Sequence, residues 1–250
     1  MANLPRISIV TIVCNGVTEI ERTIKSILDQ EYSNLEYIII DGGSTDGTQQ
    51  IVERYRDRIA FFESSPDHGI SDAFNKGIKQ ASGQLIGLIN AGDILAPQAL
   101  HMIAKSFSEN TNTAELLVFH GNIQMGIPSG KIYRPFRLRT FTFHMAIWHP
   151  TAFVTKRVYE KFNYRIDYKI AMDYELFSRV FAAHASFIHI DETLVLMDTN
   201  GLSNSHAILG FKEVTKASRE NLGIPYLQSF VYYYYRLALY YLIKIKACLV

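Results

Sequence analysis

The sequence predicts an α/β fold in which helices cover both faces of a mostly parallel sheet. Over the first 110 residues, short apolar runs alternate with stretches whose apolar residues recur at helical spacing. This alternation is typical of parallel strands joined by right-handed helical crossovers. A second observation is that 48% of the 250 residues are apolar, which is enough for a substantial core.

Composition argues against several classes of protein. The formal net charge of +1 is not that of a general nucleic-acid binder. The two cysteines, Cys14 and Cys248, have no spacing typical of a disulfide framework or a zinc site. Because the first residues lack the charged leader and apolar core of a signal peptide, we expect a cytoplasmic protein.

Two units of strand and helix open the chain. Residues 7–13 are an apolar run that predicts a buried strand, and Thr18 and Glu21 have the spacing of a capping box. Residues 37–40 predict the second strand, followed by a turn rich in helix-capping residues. Each strand precedes an apolar stripe at helical spacing: Ile20, Ile24, Ile27 and Leu28, then Ile51, Val52 and Tyr55.

A third unit leads to the expected centre of the sheet. Residues 59–62 predict a short strand, and residues 69–81 predict a helix that stops before Gly83. The almost wholly apolar run LIGLINAGD follows at 85–93 and predicts a strand buried on both faces. The first 110 residues are therefore expected to be Rossmann-like. The fingerprint Gly-x-Gly-x-x-Gly is absent after the first strand, which argues against an NAD or FAD enzyme.

Asp93 follows this central strand and is the first candidate for a ligand contact. In open α/β sheets, ligands bind at the carboxyl ends of the strands. We expect Asp93 to act there through a divalent metal. The alternative is that Asp93 caps the helix predicted over residues 97–107.

The rhythm changes after Glu115. We find no long linker or internal repeat, so residues 1–205 are predicted to form one unit with halves 1–110 and 111–205. The second half is expected to contain strands at 116–120, 131–133, 186–190 and 194–197, a basic segment with Arg134, Arg137 and Arg139, a short helix from about residue 156 and a helix opened by residues 171–175.

Residues 206–250 are predicted to form a helical extension. A helix is expected over 206–222, and Pro225 begins another that carries seven tyrosines. Arg236 would cost about 2.5 to 3.5 kcal/mol at a bilayer centre, which argues against a spanning helix. The basic, Tyr-rich segment 226–250 either lies in a membrane interface or packs against the domain or in a dimer interface.

Five motifs occur in one order along the chain, and together they form a specific signal. They are TIVCN at 11–15, DGGSTDGT at 41–48, PDHGISDAFNKG at 66–77, NAGD at 90–93 and MDYEL at 172–176. In this order they resemble family 2 of the inverting nucleotide-sugar glycosyltransferases, over about residues 6–205. The resemblance implies the GT-A fold, a Rossmann-like three-layer α/β/α domain, here with a C-terminal helical extension.

The resemblance also implies where the nucleotide binds. The loop after the first strand and the acid after the second would hold the base, and a carboxylate can accept its N–H groups. Alternatively, Asp41 forms a turn, and Asp72 and Asn75 cap a helix. The implied nucleotide residues are Thr11, Asn15, Asp41, Asp67, Asp72 and Asn90, with Asn75 tying down the loop.

The metal motif of the family is reduced in this sequence, since only Asp93 remains of the usual acidic pair. One carboxylate can suffice for Mg²⁺ or Mn²⁺ when a diphosphate and water supply the other oxygens. Arginines of the basic segment either share this neutralisation, Arg134 first among them, or form a solvated face.

Asp173 matches the family's general base, although Met172 replaces the preceding Glu. Such a base removes the acceptor proton. The alternative is a carboxylate favoured by a helix dipole. His149 resembles a histidine on the acceptor side, or is a satisfied buried histidine, and Ser203 belongs to a turn that resembles one near the diphosphate.

The resemblance implies transfer of a sugar from a UDP- or GDP-sugar to a saccharide or lipid-linked acceptor, with inversion. Polysaccharide assembly at the inner face of the cell membrane would be the setting, with residues 226–250 making a peripheral membrane contact or a homodimer. One alternative is a non-catalytic nucleotide-sugar binder or assembly partner. A second, a nucleotidylyltransferase, would need a Gly-rich basic loop after the first strand, which residues 11–15 do not provide.

Overall fold

The computed structural model describes residues 4–110, 116–198 and 206–248, and the side chains up to residue 245. Within these ranges a sheet of nine strands separates two layers of helices. The strands are β1 (Ile7–Val13), β2 (Leu35–Asp41), β3 (Phe61–Ser64), β4 (Leu85–Asn90), β5 (Ile94–Leu95), β6 (Leu117–Met125), β7 (Lys131–Tyr133), β8 (Phe153–Thr155) and β9 (Ser186–Met197). The α-helices are α1 (Ile20–Leu28), α2 (Thr48–Glu53), α3 (Ile70–Gln80), α4 (Ala99–Glu109), α5 (Lys156–Lys161), α6 (Met172–Ala182), α7 (Ala207–Leu222) and α8 (Tyr226–Cys248).

The sheet has the order β3-β2-β1-β4-β8-β6-β9-β5, with β7 paired to β6. The first four of these strands are parallel, as predicted from the alternation of strands and helices. Strand β8 runs antiparallel to β4 and β6, and β6 runs parallel to β9. A single sheet therefore joins the two halves of the domain, and β4 with β8 forms the junction.

Apolar side chains fill both faces of the sheet. One core cluster lies on the face covered by α3 and α6, and the other lies under α1 and α4. Helix α3 lies close to the strands because Gly77 has no side chain. A Cβ atom at Gly77 would lie 2.2 Å from Cγ1 of Val10, which is too short for a contact between carbon atoms.

The structure corrects four local predictions. Thr18 and Glu21 do not form a capping box, because α1 begins at Ile20 after Glu19 and no side chain caps it. The third strand lies two residues later than predicted. Strand β5 was not predicted, because two residues give no periodic pattern. The two strands predicted at 186–190 and 194–197 are one strand, β9, in which an irregularity in pairing replaces the expected turn.

The C-terminal helices are present as predicted, with α7 packed on α6 and α8 packed on α7. Phe143 also stacks on Tyr232 of α8, with ring centroids 4.8 Å apart. Across the described residues, no helix combines the length and hydropathy that crossing a bilayer requires.

Candidate active site

The carboxyl ends of β1, β2 and β4 lie side by side and carry most of the predicted nucleotide and metal residues. In the register of the sheet, Val13 pairs with Asp41, and Ile12 pairs with Asn90. Asp41 and the 90–93 turn are therefore on either side of β1, at one edge of the sheet. This is the edge at which ligands bind in open α/β sheets.

Asp41 is fully buried and organises the loop that follows β2. Its Oδ2 accepts hydrogen bonds from the backbone N of Ser44 at 2.9 Å and from Oγ of Ser64 at 2.5 Å. Its Oδ1 accepts a hydrogen bond from Oγ of Ser44. These bonds engage both carboxylate oxygens in the turn, as the alternative interpretation expected, and the nucleotide contact of Asp41 stays a prediction.

The loop after β1 is tied to this same turn. Asn15 has a left-handed φ of 51°, its backbone N donates to Oγ of Ser44 at 2.7 Å, and its Oδ1 accepts from the backbone N of Thr45 at 3.0 Å. Thr11 is fully buried within the sheet, where Oγ1 accepts a hydrogen bond from the hydroxyl of Tyr37. Asn15 therefore lies exposed at the edge of the sheet, whereas the side chain of Thr11 does not reach it.

Asp67 approaches the β2 loop at Gly42. A Cβ atom at Gly42 would lie 2.6 Å from Oδ2 of Asp67, so the missing side chain makes room for this carboxylate. Burial, followed by the charges of Asp67 and Asp41, raises the pKa of the exposed Cys14 beside them. Asp67, Cys14 and Asn15 therefore line one patch of this edge.

Asp72 and Asn75 stabilise the segments around α3. Oδ2 of Asp72 accepts a hydrogen bond from the backbone N of His68 at 3.0 Å and lies 3.6 Å from Nζ of Lys76. The amide of Asn75 binds both backbone groups of Tyr164, with distances of 2.8 and 3.0 Å. Asp72 thus has the local capping role, while Asn75 links α3 to a segment 89 residues away.

Asp93 is only 5% exposed, and its Oδ2 has no hydrogen-bond partner among the described residues. Burial raises the pKa of this carboxyl from 3.8 to about 7, although hydrogen bonds from Asn90 and the nearby charge of Arg22 act in the opposite direction. Helix α4 begins at Ala99 with Gln98 at its N-cap position, so Asp93 does not cap it.

An unpartnered, buried carboxylate oxygen fits a divalent cation. Among the described residues, no group of three or more His, Cys, Asp or Glu side chains could enclose a metal without other ligands. A cation at Asp93 would therefore take most of its ligands from a diphosphate and from water.

Arg22 on α1 adds a positive charge to the same turn, and the sequence patterns did not single it out. A Cβ atom at Gly92 would lie 3.6 Å from Nη2 of Arg22, and this nitrogen is 3.7 Å from Oδ2 of Asp198. The contact places the end of β9 near Asp93. Ser203, which follows five residues after Asp198, is outside the described residues.

Asp173 contacts His149 and Tyr164. Its Oδ1 is 3.5 Å from Nε2 of His149 and accepts a hydrogen bond from the hydroxyl of Tyr164 at 3.1 Å. Burial, and after it the charge of Asp173, raises the pKa of Tyr164 far above its usual range. The Tyr164 hydroxyl therefore keeps its proton and donates it in this hydrogen bond. The carboxylate of Asp173 is 27% exposed and is therefore open to a substrate.

Two contacts position Asp173. Because β8 runs antiparallel to β4, the short 3-10 helix before β8, which contains His149, lies towards the carboxyl end of β4, and it contacts that strand. The first residues of α6 are held from α7, where the carboxylate of Glu213 accepts three backbone N–H bonds from residues 169–171 at 2.7 to 2.9 Å. Asp173 lies two residues after this contact.

The basic segment lies on the far side of β8. Arg134 pairs with Asp191 at 2.9 Å, and both side chains are exposed. The ring of Trp148 lies between those of Tyr133 and Phe136, with centroid distances of 6.2 and 5.8 Å. The indole Nε1 of Trp148 has no hydrogen-bond partner among the described residues. This aromatic cluster was not predicted, because its members come from separate segments.

Solved glycosyltransferases share the fold of this chain. The structure of residues 1–349 of S. aureus TarS in complex with UDP matches with a TM-score of 0.69 and 17% identity, covering 91% of this chain and 68% of that one. A mannosyltransferase from Pyrobaculum calidifontis in complex with GDP-Man and Mn²⁺ matches with a TM-score of 0.63 and 16% identity, covering 99% and 81%. At these identities the likeness shows the fold, and the fold is GT-A as expected.

Relatives in sequence are also glycosyltransferases. An uncharacterised glycosyltransferase of Mycobacterium tuberculosis is 30% identical over 208 residues, which are 82% of this chain and 79% of that protein. The hyaluronan synthase of Pasteurella multocida is 26% identical over 236 residues, which are 89% of this chain and 24% of the synthase. The family model "Glycosyl transferase family 2" matches residues 8–179. With the fold and these relatives, that match shows that the chain belongs to glycosyl transferase family 2 and is a glycosyltransferase.

Proposed function

We propose that this enzyme transfers a sugar, with inversion, from a UDP- or GDP-sugar to a saccharide or lipid-linked acceptor. The observation that carries the proposal is the contact of Asp173 with His149, which belongs to the segment that contacts β4 before β8 begins. Asp93, with its unpartnered carboxylate oxygen, follows β4, so we infer that a proton acceptor and a cation ligand serve the same edge of the sheet. The UDP and GDP-Man complexes of the structural neighbours support these two classes of donor.

The order of the strands suggests how the donor lies. Neighbouring strands are about 4.8 Å apart, so the edge from β2 to β8 spans about 14 Å. The nucleoside would lie by Asn15 and Asp67, near β1 and β2, and the diphosphate by Asp93 after β4. The sugar would then reach Asp173 beside β8.

Asp173 is the proposed general base in a single displacement. Its carboxylate takes the proton of the acceptor hydroxyl while the acceptor oxygen forms a bond to the anomeric carbon. The bond from that carbon to the diphosphate oxygen breaks on the opposite face, and the nucleoside diphosphate leaves. Tyr164 and His149 would hold the carboxylate in position through Oδ1.

A divalent metal, Mg²⁺ or Mn²⁺, would bind at Asp93 and stabilise the charge that develops on the leaving diphosphate. The buried, unpartnered Oδ2 of Asp93 supports this assignment, as does the Mn²⁺ in the mannosyltransferase structure. Arg22 would add positive charge on the other side of the turn. Arg134 is paired with Asp191, so it contributes less to this neutralisation than the sequence suggested.

Turnover of the donor in the Asp173→Asn variant tests the proposal. We expect a loss of about 10²- to 10⁴-fold, because Asn cannot accept the proton. Stabilisation of the protein against heat by UDP or GDP should persist. The matched control is Asp167→Asn, the same change at an exposed position where the carboxylate pairs with Arg165 and Lys216.

Two outcomes would contradict the proposal. Turnover unchanged in Asp173→Asn would remove the assigned base. Nucleotide-sugar binding without turnover in the wild-type enzyme, over a panel of acceptors, would favour a binding or assembly role. We place the enzyme in the cytoplasm, at the inner face of the cell membrane when the acceptor is lipid-linked.

A further inference from the structure

Helix α8 packs on the protein through one side and exposes an apolar side to solvent. Its packed side includes Tyr240, whose ring is 6.2 Å from that of Phe211 on α7, and Arg236, whose guanidinium lies 4.8 Å above the same ring. The rest of its circumference carries eleven of the large hydrophobic residues that are exposed within the described part of the chain. They are Tyr226, Leu227, Phe230, Val231, Tyr234, Tyr235, Leu239, Tyr241, Leu242, Ile243 and Ile245.

Aliphatic and tyrosine side chains occupy different positions across the exposed side. At 100° per residue, aliphatic side chains occupy the centre, where Leu227 is 73% and Leu242 is 55% exposed. Tyrosines 234, 235 and 241 lie on the flanks of this stripe. The helix has 23 residues and is therefore about 35 Å long, so its exposed apolar residues form one extended surface of the kind that marks an interaction site.

Most of the charges near this stripe are positive, and the nearby acid Glu220 is paired with Arg165. Helix α8 contains Arg236 and Lys244, and residues 221–250 contain no Asp or Glu. The segment that contacts α8 through Phe143 has the same character. Residues 116–159 contain no acid, and Arg137 and Arg139 are exposed, without an ion pair to any other described residue.

We propose that α8 binds the surface of a bilayer that contains anionic lipid. The helix would lie parallel to the membrane plane, with its aliphatic stripe among the acyl chains and its tyrosine hydroxyls at the level of the headgroups. Arg137, Arg139 and Lys244 would contact anionic headgroups. This charge pattern favours a lipid surface over a second copy of the chain, because a copy would bring mainly its own cations to the contact.

Flotation of the full chain with vesicles tests this surface. We expect binding to vesicles of phosphatidylglycerol and phosphatidylcholine, weaker binding at high salt, and little binding to phosphatidylcholine alone. The double change Val231→Glu with Leu242→Glu places charges on the exposed stripe and should abolish binding. Lys105→Glu on α4, in the other helical layer, alters the net charge by the same amount and should bind as the wild type does.

A second pair of variants tests the cations. Arg137→Gln and Arg139→Gln should each weaken binding to the anionic vesicles about fivefold and leave binding to neutral vesicles unchanged. Circular dichroism and stabilisation by UDP or GDP show that each variant is folded, and neither readout depends on the membrane. The vesicle result is therefore separate from the catalytic proposal.

Three results would overturn the inference. The first is equal binding of the wild type and the α8 double variant to anionic vesicles. The second is no binding of the wild type to either vesicle. The third is a dimer of the wild type in analytical ultracentrifugation that the double variant converts to a monomer while vesicle binding is unaffected.

Discussion

Asp93 and Asp173 are carboxylates with opposite surroundings. Asp93 is buried with one oxygen unpartnered, and burial raises its pKa to about 7, so a bound cation would stabilise its charged form. Asp173 is 27% exposed and is contacted on one oxygen by Tyr164 and His149. Its surroundings therefore suit Asp93 to bind a positive ion. The surroundings of Asp173 suit it to contact a substrate hydroxyl.

The stability of Asp93→Asn should differ from that of the wild type only at higher pH. The carboxyl has a pKa of about 7 in the folded chain and 3.8 ordinarily, so the wild type loses stability as pH rises from about 4 through 7. In metal-free buffer at pH 8, we expect the Asn variant to be more stable by on the order of 2 to 4 kcal/mol. At pH 4 the two proteins should unfold alike.

Denaturant titrations at the two pH values measure this difference. Asp57→Asn is the control, since Asp57 is exposed on a short turn and its loss should leave stability unchanged. A variant that is less stable than the wild type at pH 8 would show that the carboxylate makes a favourable contact in the free protein. Adding Mn²⁺ with UDP should stabilise the wild type more than the variant.

The position of a single residue could be predicted when one strand or one helix determines it. Asp93 and Asp173 each follow a clear pattern, an apolar run in one case and a helix start in the other. Tyr164, Glu213 and Arg22 could not be predicted, because their roles arise only when separate segments meet.

At the scale of elements, α7 supports the start of α6. Glu213 accepts three backbone N–H bonds from the residues before α6, although these two segments are more than 40 residues apart in the chain. Glu175 of α6 is also fully buried and pairs with Arg179 at 2.7 Å. The C-terminal extension therefore stabilises the helix that carries the proposed base.

Glu213→Gln should lower both stability and turnover. Gln removes a charge that favours the N-terminal end of α6 and provides one acceptor oxygen in place of two, so we expect a cost of about 1 to 3 kcal/mol. Turnover should fall more than nucleotide binding, because the changed segment leads to Asp173. Glu220→Gln, on the same helix with an exposed partner in Arg165, should cost less than about 1 kcal/mol. Equal effects of the two variants would contradict a role for Glu213 at the active site.

Strands and helices of the first half were predictable because each carries a periodic pattern of its own. The capping box at Thr18 was wrong, since many Ser, Thr and Glu residues have this spacing by chance and the packing of Ile20 decides where α1 starts. Strand β9 was divided in two because Asp191 and Glu192 resemble a turn, whereas in the sheet they fall at an irregularity opposite β6. The start of α1 and the continuity of β9 both depend on contacts with other segments, and the sequence does not specify those contacts.

At the scale of the whole molecule, one edge of the sheet runs from the proposed nucleotide side to the proposed acceptor side. Asp67 lies near β2 at one end. Trp148, with Tyr133 and Phe136, lies beyond β8 at the other end. The exposed rings of Tyr133 and Phe136 suit the carbon face of a sugar.

This layout predicts that variants at the two ends change different kinetic constants. Asp67→Asn should raise the KM for the nucleotide sugar about tenfold, since a charged hydrogen bond is lost, and should leave the acceptor KM unchanged. Trp148→Ala should raise the acceptor KM about tenfold and leave the donor KM unchanged. Initial rates with each substrate varied in turn measure both effects, and a change of the same constant in both variants would contradict the layout.

The parallel half of the fold followed from the sequence, because alternating strands and helices have few arrangements. The order β4-β8-β6-β9 did not follow, since β8 has three residues and its pairing depends on contacts between distant segments. Whether α8 binds a membrane or packs on the protein was left open by the sequence for a related reason. Only packing shows which of its two apolar sides the protein covers.

The two hydrogen bonds between the side chain of Asn75 and the backbone of Tyr164 limit how chimeras of this enzyme can be built. Helix α3 belongs to the donor half, yet it fixes the segment that holds the proposed base in the acceptor half. A chimera that joins the donor half of a relative to the acceptor half of this chain after α4 loses this contact unless the relative also has an amide at the position of Asn75. The two halves therefore cannot be exchanged independently between relatives. A chimera that contains this acceptor half must also keep asparagine at position 75.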